Sequence, residues 1–301
     1  MMHVRVLIVA LVVALGASSL RAETTMYVTN YGPFPTGSVV TVDPTSGSLA
    51  TFAASGVQSP GAIAVDTAGY VYCGNNATGN VTKLAPDGSS TVFASAFNVP
   101  SGLAFDRDGN LFVSNYYSSS MDKVTPAGVR SVFATGLGGP YMPAFGADGN
   151  LYVPSWFTNS VIQVTPAGVT STYTTGLSNP YAVAFDSTGV MYVAEYGANR
   201  IAKVASGGGS FSTFATGFSG PSGMAFDATG NLFVADLLSN TLQKVTPAGV
   251  RTTFATGFNQ PVGVAFSPAA AVPEIDPQSS AAGVAAAVVA LLLVERRRLR
   301  A

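Results

Sequence analysis

The stretch Pro100-Ser-Gly-Leu-Ala-Phe-Asp-Arg-Asp-Gly-Asn-Leu-Phe-Val-Ser-Asn115 decides the reading of this chain, because it returns. A short apolar run follows a proline, a polar Asp-to-Gly turn follows the run, and a second apolar run follows the turn. The prolines that open the copies are Pro60, Pro100, Pro140, Pro180, Pro221 and Pro261, spaced by 40, 40, 40, 41 and 40 residues. A period of this size, built from short apolar runs and Gly/Pro turns, is the mark of β-propeller blades.

Within each unit four strands can be placed. In the unit that opens at Pro100 they fall near Leu103–Phe105, Leu111–Asn115, Met121–Val124 and Arg130–Ala134. Asp106-Arg-Asp-Gly109 has the Asp-first, Gly-fourth preference of a type I turn, and the same frame recurs at Asp66–Gly69, Asp186–Gly189 and Asp227–Gly230. Thr125-Pro-Ala-Gly128 recurs at Thr165–Gly168 and Thr246–Gly249. Aspartates that repeat at a turn read as structural caps. The first strand carries Ala64, Ala104, Ala144, Ala184, Ala225 and Ala265 at its centre, with a small residue usually two positions earlier. Side chains alternate faces along a strand, so these small positions share one face, expected at a crowded central axis. Val65, Phe105, Phe145, Phe185, Phe226 and Phe266 are expected to fill the space between blades.

Five units are complete. Thr25–Ser59 lacks a first strand and Pro261–Pro268 supplies only a first strand, so together they make a sixth blade. The chain therefore reads as all-β: a six-bladed propeller of four-stranded blades over residues 23–271, its ring closed by the N- and C-terminal strands so that no open edge remains. The pattern Pro-x-Gly-φ-Ala-φ-Asp-x-x-Gly-Asn-φ-Tyr-Val resembles the NHL-type propeller repeat, and the resemblance spans about residues 25–268. The unit that opens at Pro140 breaks the pattern. Pro143 stands in its first strand, Pro154 in its second, and Gly146 replaces the turn aspartate. Proline cannot donate to a strand ladder, so this blade is expected to be irregular, with Trp156 beside it.

Both ends fall outside the repeat. Residues 1–22, with Arg5, an apolar run and small residues up to Ala22, read as a secretory signal peptide. Residues 272–301 run from Val272-Pro-Glu-Ile-Asp-Pro277 through an uncharged stretch of 16 residues from Ser279 to the cluster Glu295-Arg-Arg-Arg-Leu-Arg300. At ~1.5 Å per residue that stretch reaches only about 24 Å, and its arginine end suits a short transmembrane helix stopped with the positive end inside. The Pro273-Glu274 motif, apolar helix and arginine cluster, in that order, resemble the PEP-CTERM sorting tail. The resemblance implies a passing stay in the inner membrane, recognition by an exosortase-type sorting enzyme, removal of the tail, and delivery to the cell surface or extracellular matrix of a Gram-negative bacterium.

Residues 23–276 hold 14 acidic and 8 basic side chains, a net of about −6. No basic stripe exists, which disfavours nucleic acid as a partner. Cys73 is the only cysteine, so no intramolecular disulfide or zinc cluster can form. The single histidine is His3, within the signal peptide, so the mature chain has none for Ser-His-Asp or Cys-His catalysis.

The loops after the second strands and before the first strands should share one face, over the central channel. They gather Tyr31, Tyr116, Tyr117, Trp156, Phe157, Tyr196, Tyr141 and Tyr181. Flat rings beside carboxamides suit sugar faces and hydroxyls, so this face is expected to bind a polysaccharide or a surface protein without catalysis. At one equivalent position in the six blades stand Asn30, Asn75, Asn115, Ser155, Glu195 and Asp236, a ring of oxygen donors that suits a hard cation such as Ca2+; no other cofactor is implied. The alternative is an enzyme: a divalent-metal-dependent hydrolase of the gluconolactonase type or one like the streptogramin lyases. The first family's Glu-Gly-Pro-x-Trp motif would fall near Ser59-Pro60-Gly61, where the glutamate and tryptophan are missing. The second requires a histidine.

Overall fold

The computed structural model describes residues 24–268. The expected signal peptide and sorting tail lie outside them. Among the described residues are twenty-four strands in six four-stranded antiparallel sheets. Among them no helix is long and apolar enough to cross a membrane.

Blade 3 shows the plan. Its strands are Pro100–Phe105, Leu111–Asn115, Ser120–Val124 and Arg130–Thr135, joined in chain order from the inside outward. Phe105 pairs with Leu111 and Leu103 with Val113, with a register shift between Pro100 and Gly102. The first turn forms because Asp106 draws it closed: its Oδ1 accepts the N–H groups of Asp108 (3.0 Å) and Asn110 (2.8 Å). The third turn is held by the Gly128 N–H on the Thr125 carbonyl at 2.8 Å.

The ring closes as the sequence predicts. In blade 1 the strand Pro261–Phe266 lies inside Met26–Asn30, pairing Phe266 with Met26, Ala265 with Tyr27 and Val264 with Val28. Side chains fasten the seam. Thr29 Oγ1 accepts the Gly263 N–H at 2.7 Å, and the Thr25 N–H donates to Ser267 Oγ at 2.8 Å.

The inner strands correct one expectation. Ala62 and Ala64 do not point at an open axis. They lie in one cluster with Leu103, Leu111 and Val113 of the following blade, while Ile63, on the other face, packs with Tyr27 and Val39 of the preceding one. Both faces of this inner strand touch neighbouring blades. The larger side chains Ile63, Leu103, Pro143, Val183, Met224 and Val264, one from each blade, line one shared cavity, and the small residues mark where neighbouring inner strands approach most closely. A Cβ on Gly263 would lie 2.7 Å from Ile63 Cγ2. The larger side chains form edge-to-face ring pairs between blades, such as Tyr72 with Phe105 at 5.0 Å and Phe112 with Phe145 at 5.1 Å.

Blade 4 is irregular where the prolines stand. Its inner strand keeps only Ala144–Phe145. Pro143 offers no N–H to the sheet, and Met142 leaves it. The Met142 N–H donates to the Tyr181 carbonyl at 3.0 Å, and the Val183 N–H donates to the Met142 carbonyl at 3.1 Å, a parallel bridge into blade 5.

Candidate functional site

The pairing registers put the loops after the second strands and before the first strands at the same end of every blade. Tyr116, Tyr117, Tyr141, Trp156, Phe157, Tyr181 and Tyr196 come together there as one continuous cluster from blades 3, 4 and 5. Tyr117 meets Tyr116 at 5.0 Å, Tyr116 meets Tyr141 at 4.9 Å and Phe157 at 5.2 Å, and Trp156 meets Tyr141 at 5.3 Å and Tyr196 at 5.4 Å. Tyr141 and Tyr181 stack at 4.1 Å. That stack follows from the crossing of Met142 into blade 5, which sets Tyr141 against its counterpart 40 residues on. Ser114 Oγ of blade 3 donates to the Tyr141 carbonyl at 2.7 Å and tethers the loop from the other side.

The cluster has layers. Tyr181 is buried and Tyr141 half-buried, so these two form the floor; Tyr116, Trp156 and Tyr196 are half-buried above them; Tyr117 and Phe157 stand out at 70% and 57% exposure. Burial raises the Tyr141 hydroxyl well above the ordinary phenol value, and the neighbouring phenols of Tyr116, Tyr117 and Tyr31 add to it. Burial does the same to Tyr181. Two glycines make room for the rings: a Cβ on Gly139 would lie 2.7 Å from the Phe157 ring, and one on Gly220 2.8 Å from the Tyr196 ring.

The oxygen ring Asn30, Asn75, Asn115, Ser155, Glu195 and Asp236 has a different use from the cation site expected of it. All six are buried. Asn75 accepts the Gln58 N–H (2.9 Å), Asn115 that of Asn98 (3.0 Å), Glu195 that of Ser178 (2.8 Å), Asp236 that of Ser219 (2.6 Å) and Asn30 that of Asn259 (3.2 Å), while Ser155 Oγ donates to the Gly138 carbonyl (2.9 Å). Each therefore staples a second strand to the interblade loop before it. Glu195 also pairs with Arg200. Among the described residues no group of three or more His, Cys, Asp or Glu side chains is placed to hold a metal.

A second set of staples escaped the sequence reading. Asn159, Asn199 and Asn240 adopt positive φ and accept the N–H groups of Asn179, Gly220 and Gln260. Their recurrence one position before the third strand was the available signal. Asn76 lies on the same loop face but was not among the candidate residues. It occupies the position next to Asn75 that holds Tyr116, Trp156 and Tyr196 in the aromatic blades and Tyr31 and Leu237 in two others.

A family model for the virginiamycin B lyase family matches residues 49–271. The chain belongs to that family. No curated protein matches it. Among solved structures it is similar to the virginiamycin B lyase of Staphylococcus aureus (19% identity, TM-score 0.55, covering 69% of this chain and 77% of that one). A catalytically inactive histidine-to-alanine variant of the same enzyme, with quinupristin, aligns at 17% identity and TM-score 0.57 over 81% and 82%. A nidogen/laminin complex chain aligns at 16% identity and TM-score 0.72 over 82% and 99%. At these identities the likeness to the solved structures is one of fold, shared by lyases and by a protein seen in a protein–protein complex.

Proposed function

We propose that this member of the family is a non-catalytic propeller that binds a polysaccharide across its aromatic face. The observation that carries the reading is the seven-ring cluster of blades 3 to 5, with Tyr117, Phe157, Trp156 and Tyr196 available above a buried tyrosine floor. Rings held rigid by their neighbours lose little entropy on binding and offer flat faces for stacking. A glycan array tests it. Trp156→Ala should weaken a retained glycan by about 1–3 kcal/mol while the chain still folds; unchanged affinity would remove the reading.

Family membership favours a second reading, a lyase acting on a streptogramin such as quinupristin. In the S. aureus enzyme one histidine-to-alanine change leaves a catalytically inactive protein. The only histidine here is His3, in the segment read as a signal peptide, so incubation with quinupristin should leave its chromatographic retention and fragmentation spectrum unchanged; a new isomer of the same mass would favour the lyase. We further propose that the chain is exported and that its tail is cut near residues 272–280 by an exosortase-type enzyme. Mass spectrometry of the surface form should find no Arg300-Ala301 terminus.

A further inference from the structure

We propose that the polysaccharide is uncharged, and that Asn76 supplies its directional contact. The inference rests on the glycan-binding reading above and specifies the ligand. All twelve loops at the aromatic end of the propeller are without a charged residue: 31–37, 76–79, 116–119, 156–159, 196–199 and 237–240 after the second strands, and 54–59, 95–99, 136–143, 176–179, 217–220 and 257–260 before the first. The opposite end carries an aspartate in five first turns, Asp66, Asp106, Asp148, Asp186 and Asp227.

The charged groups that come closest to the aromatic end are held by the fold. Glu195 is buried against Arg200 and the Ser178 N–H, and Asp236 against the Ser219 N–H. Arg130 holds Asp122 at 2.8 Å and the Ala96 carbonyl at 2.5 Å, and Arg251 holds Gln243 at 2.7 Å. An anionic glycan would find no free cation here and would give up water around its carboxylates for nothing. A neutral hexose chain meets ring faces for its C–H surfaces.

The mouth of the channel is ringed by the residues that follow the stapling oxygens. Five of them are Tyr31, Tyr116, Trp156, Tyr196 and Leu237; the sixth, Asn76, belongs to blade 2, the neighbour of blade 3 where the aromatic arc begins. Asn75 beside it bonds Asn80 and Thr82 as well as the Gln58 N–H. The Asn76 side chain lies over Gly61, where a Cβ would come within 2.7 Å of Oδ1, and that Oδ1 is buried without a hydrogen-bond partner among the described residues. A buried acceptor left unmade is unfavourable. The amide is not engaged by the fold, so turning it toward a sugar hydroxyl forfeits no bond.

The test uses the purified full chain on neutral dextran and laminarin and on anionic alginate and hyaluronan. Retention on a neutral glycan, with affinity unchanged between about 20 and about 500 mM NaCl, is expected, since screening acts only on charge. Asn76→Ala should lower that affinity about tenfold, the loss of one hydrogen bond, with an unchanged melting curve confirming the fold. Preference for alginate or hyaluronan, or binding that salt abolishes, would overturn the uncharged ligand and leave the glycan-binding reading standing. Wild-type affinity in Asn76→Ala would overturn the role of Asn76. Retention of neither class, or capture on phosphatidylcholine vesicles that Trp156→Ala abolishes, would overturn both readings.

Discussion

The two ends of this propeller are made by the same strands, yet their loops obey different rules. At one end the turns are near copies: Asp106 and Asp227 each accept two backbone N–H groups and the amide of the asparagine four residues on. At the other end the staples are equivalent but the residue after each differs: tyrosine, asparagine, tryptophan or leucine. A turn whose side chain is consumed by its own backbone has nothing left for a ligand. A loop closed by a buried staple leaves the next residue free to vary. The difference between the ends is thus one between positions that must repeat to fold and positions released by that repetition.

The largest expected effect removes the frame both ends depend on. Deleting Pro261–Ala301 exposes the Met26–Asn30 edge and the cluster in which Val264 and Phe266 pack against Phe233 and Val28. Each such side chain contributes roughly 1.5–3 kcal/mol, so the truncated chain should aggregate or melt far below a chain ending at residue 276. Equal melting temperatures would mean that the ring does not depend on this seam.

The next effect is confined to the aromatic end. Pro143 stands where blades 2, 3 and 5 place Ile63, Leu103 and Val183. Pro143→Val restores a strand donor and should draw Met142 back toward its own sheet, away from the Tyr181 carbonyl. The Tyr141–Tyr181 stack then loosens. Affinity for a retained glycan should fall about tenfold, ~1.4 kcal/mol, while the melting temperature holds or rises. Intact affinity would show that the detour does not set the platform.

The architecture was legible because it repeats: six copies of proline and alanine and four of the turn aspartate give register, blade number and closure. The irregular blade was legible too, since Pro143 and Gly146 violate that repeat. The layering of the rings was not. Whether Tyr181 is floor or contact depends on Met142 crossing into the next blade, a pairing between residues 40 apart that no local pattern specifies. The stapling oxygens misled for a related reason. Six oxygens at one position look like a ring around an axis, but five accept a backbone N–H of the neighbouring interblade loop and Ser155 donates to a carbonyl there, which a list of side chains does not reveal.

The smallest effects belong to the turn end and should leave binding alone. Asp227→Ala removes the acceptor for the Thr229 and Asn231 N–H groups at 2.9 and 2.8 Å. It should lower stability by about 1–2 kcal/mol, or a few degrees in melting temperature. Acid should act on the same groups. Burial pushes the carboxyls of Asp148, Asp186 and Asp227 upward, but hydrogen bonds from Tyr152 and Asn150, from Thr188 and Val190, and from Asn231 and Thr229 outweigh it and hold them below the ordinary value. A carboxyl depressed by folding stabilises the fold above its unfolded value, about 3.9, and that contribution is lost as pH falls through the lower folded value. With no histidine in residues 24–268, the melting temperature should be flat from about pH 5 to 8 and drop below about pH 4. Asp227→Asn should shrink that drop. A transition near pH 6, or a glycan affinity that follows the acid transition while the fold is intact, would show that the two ends are not separable.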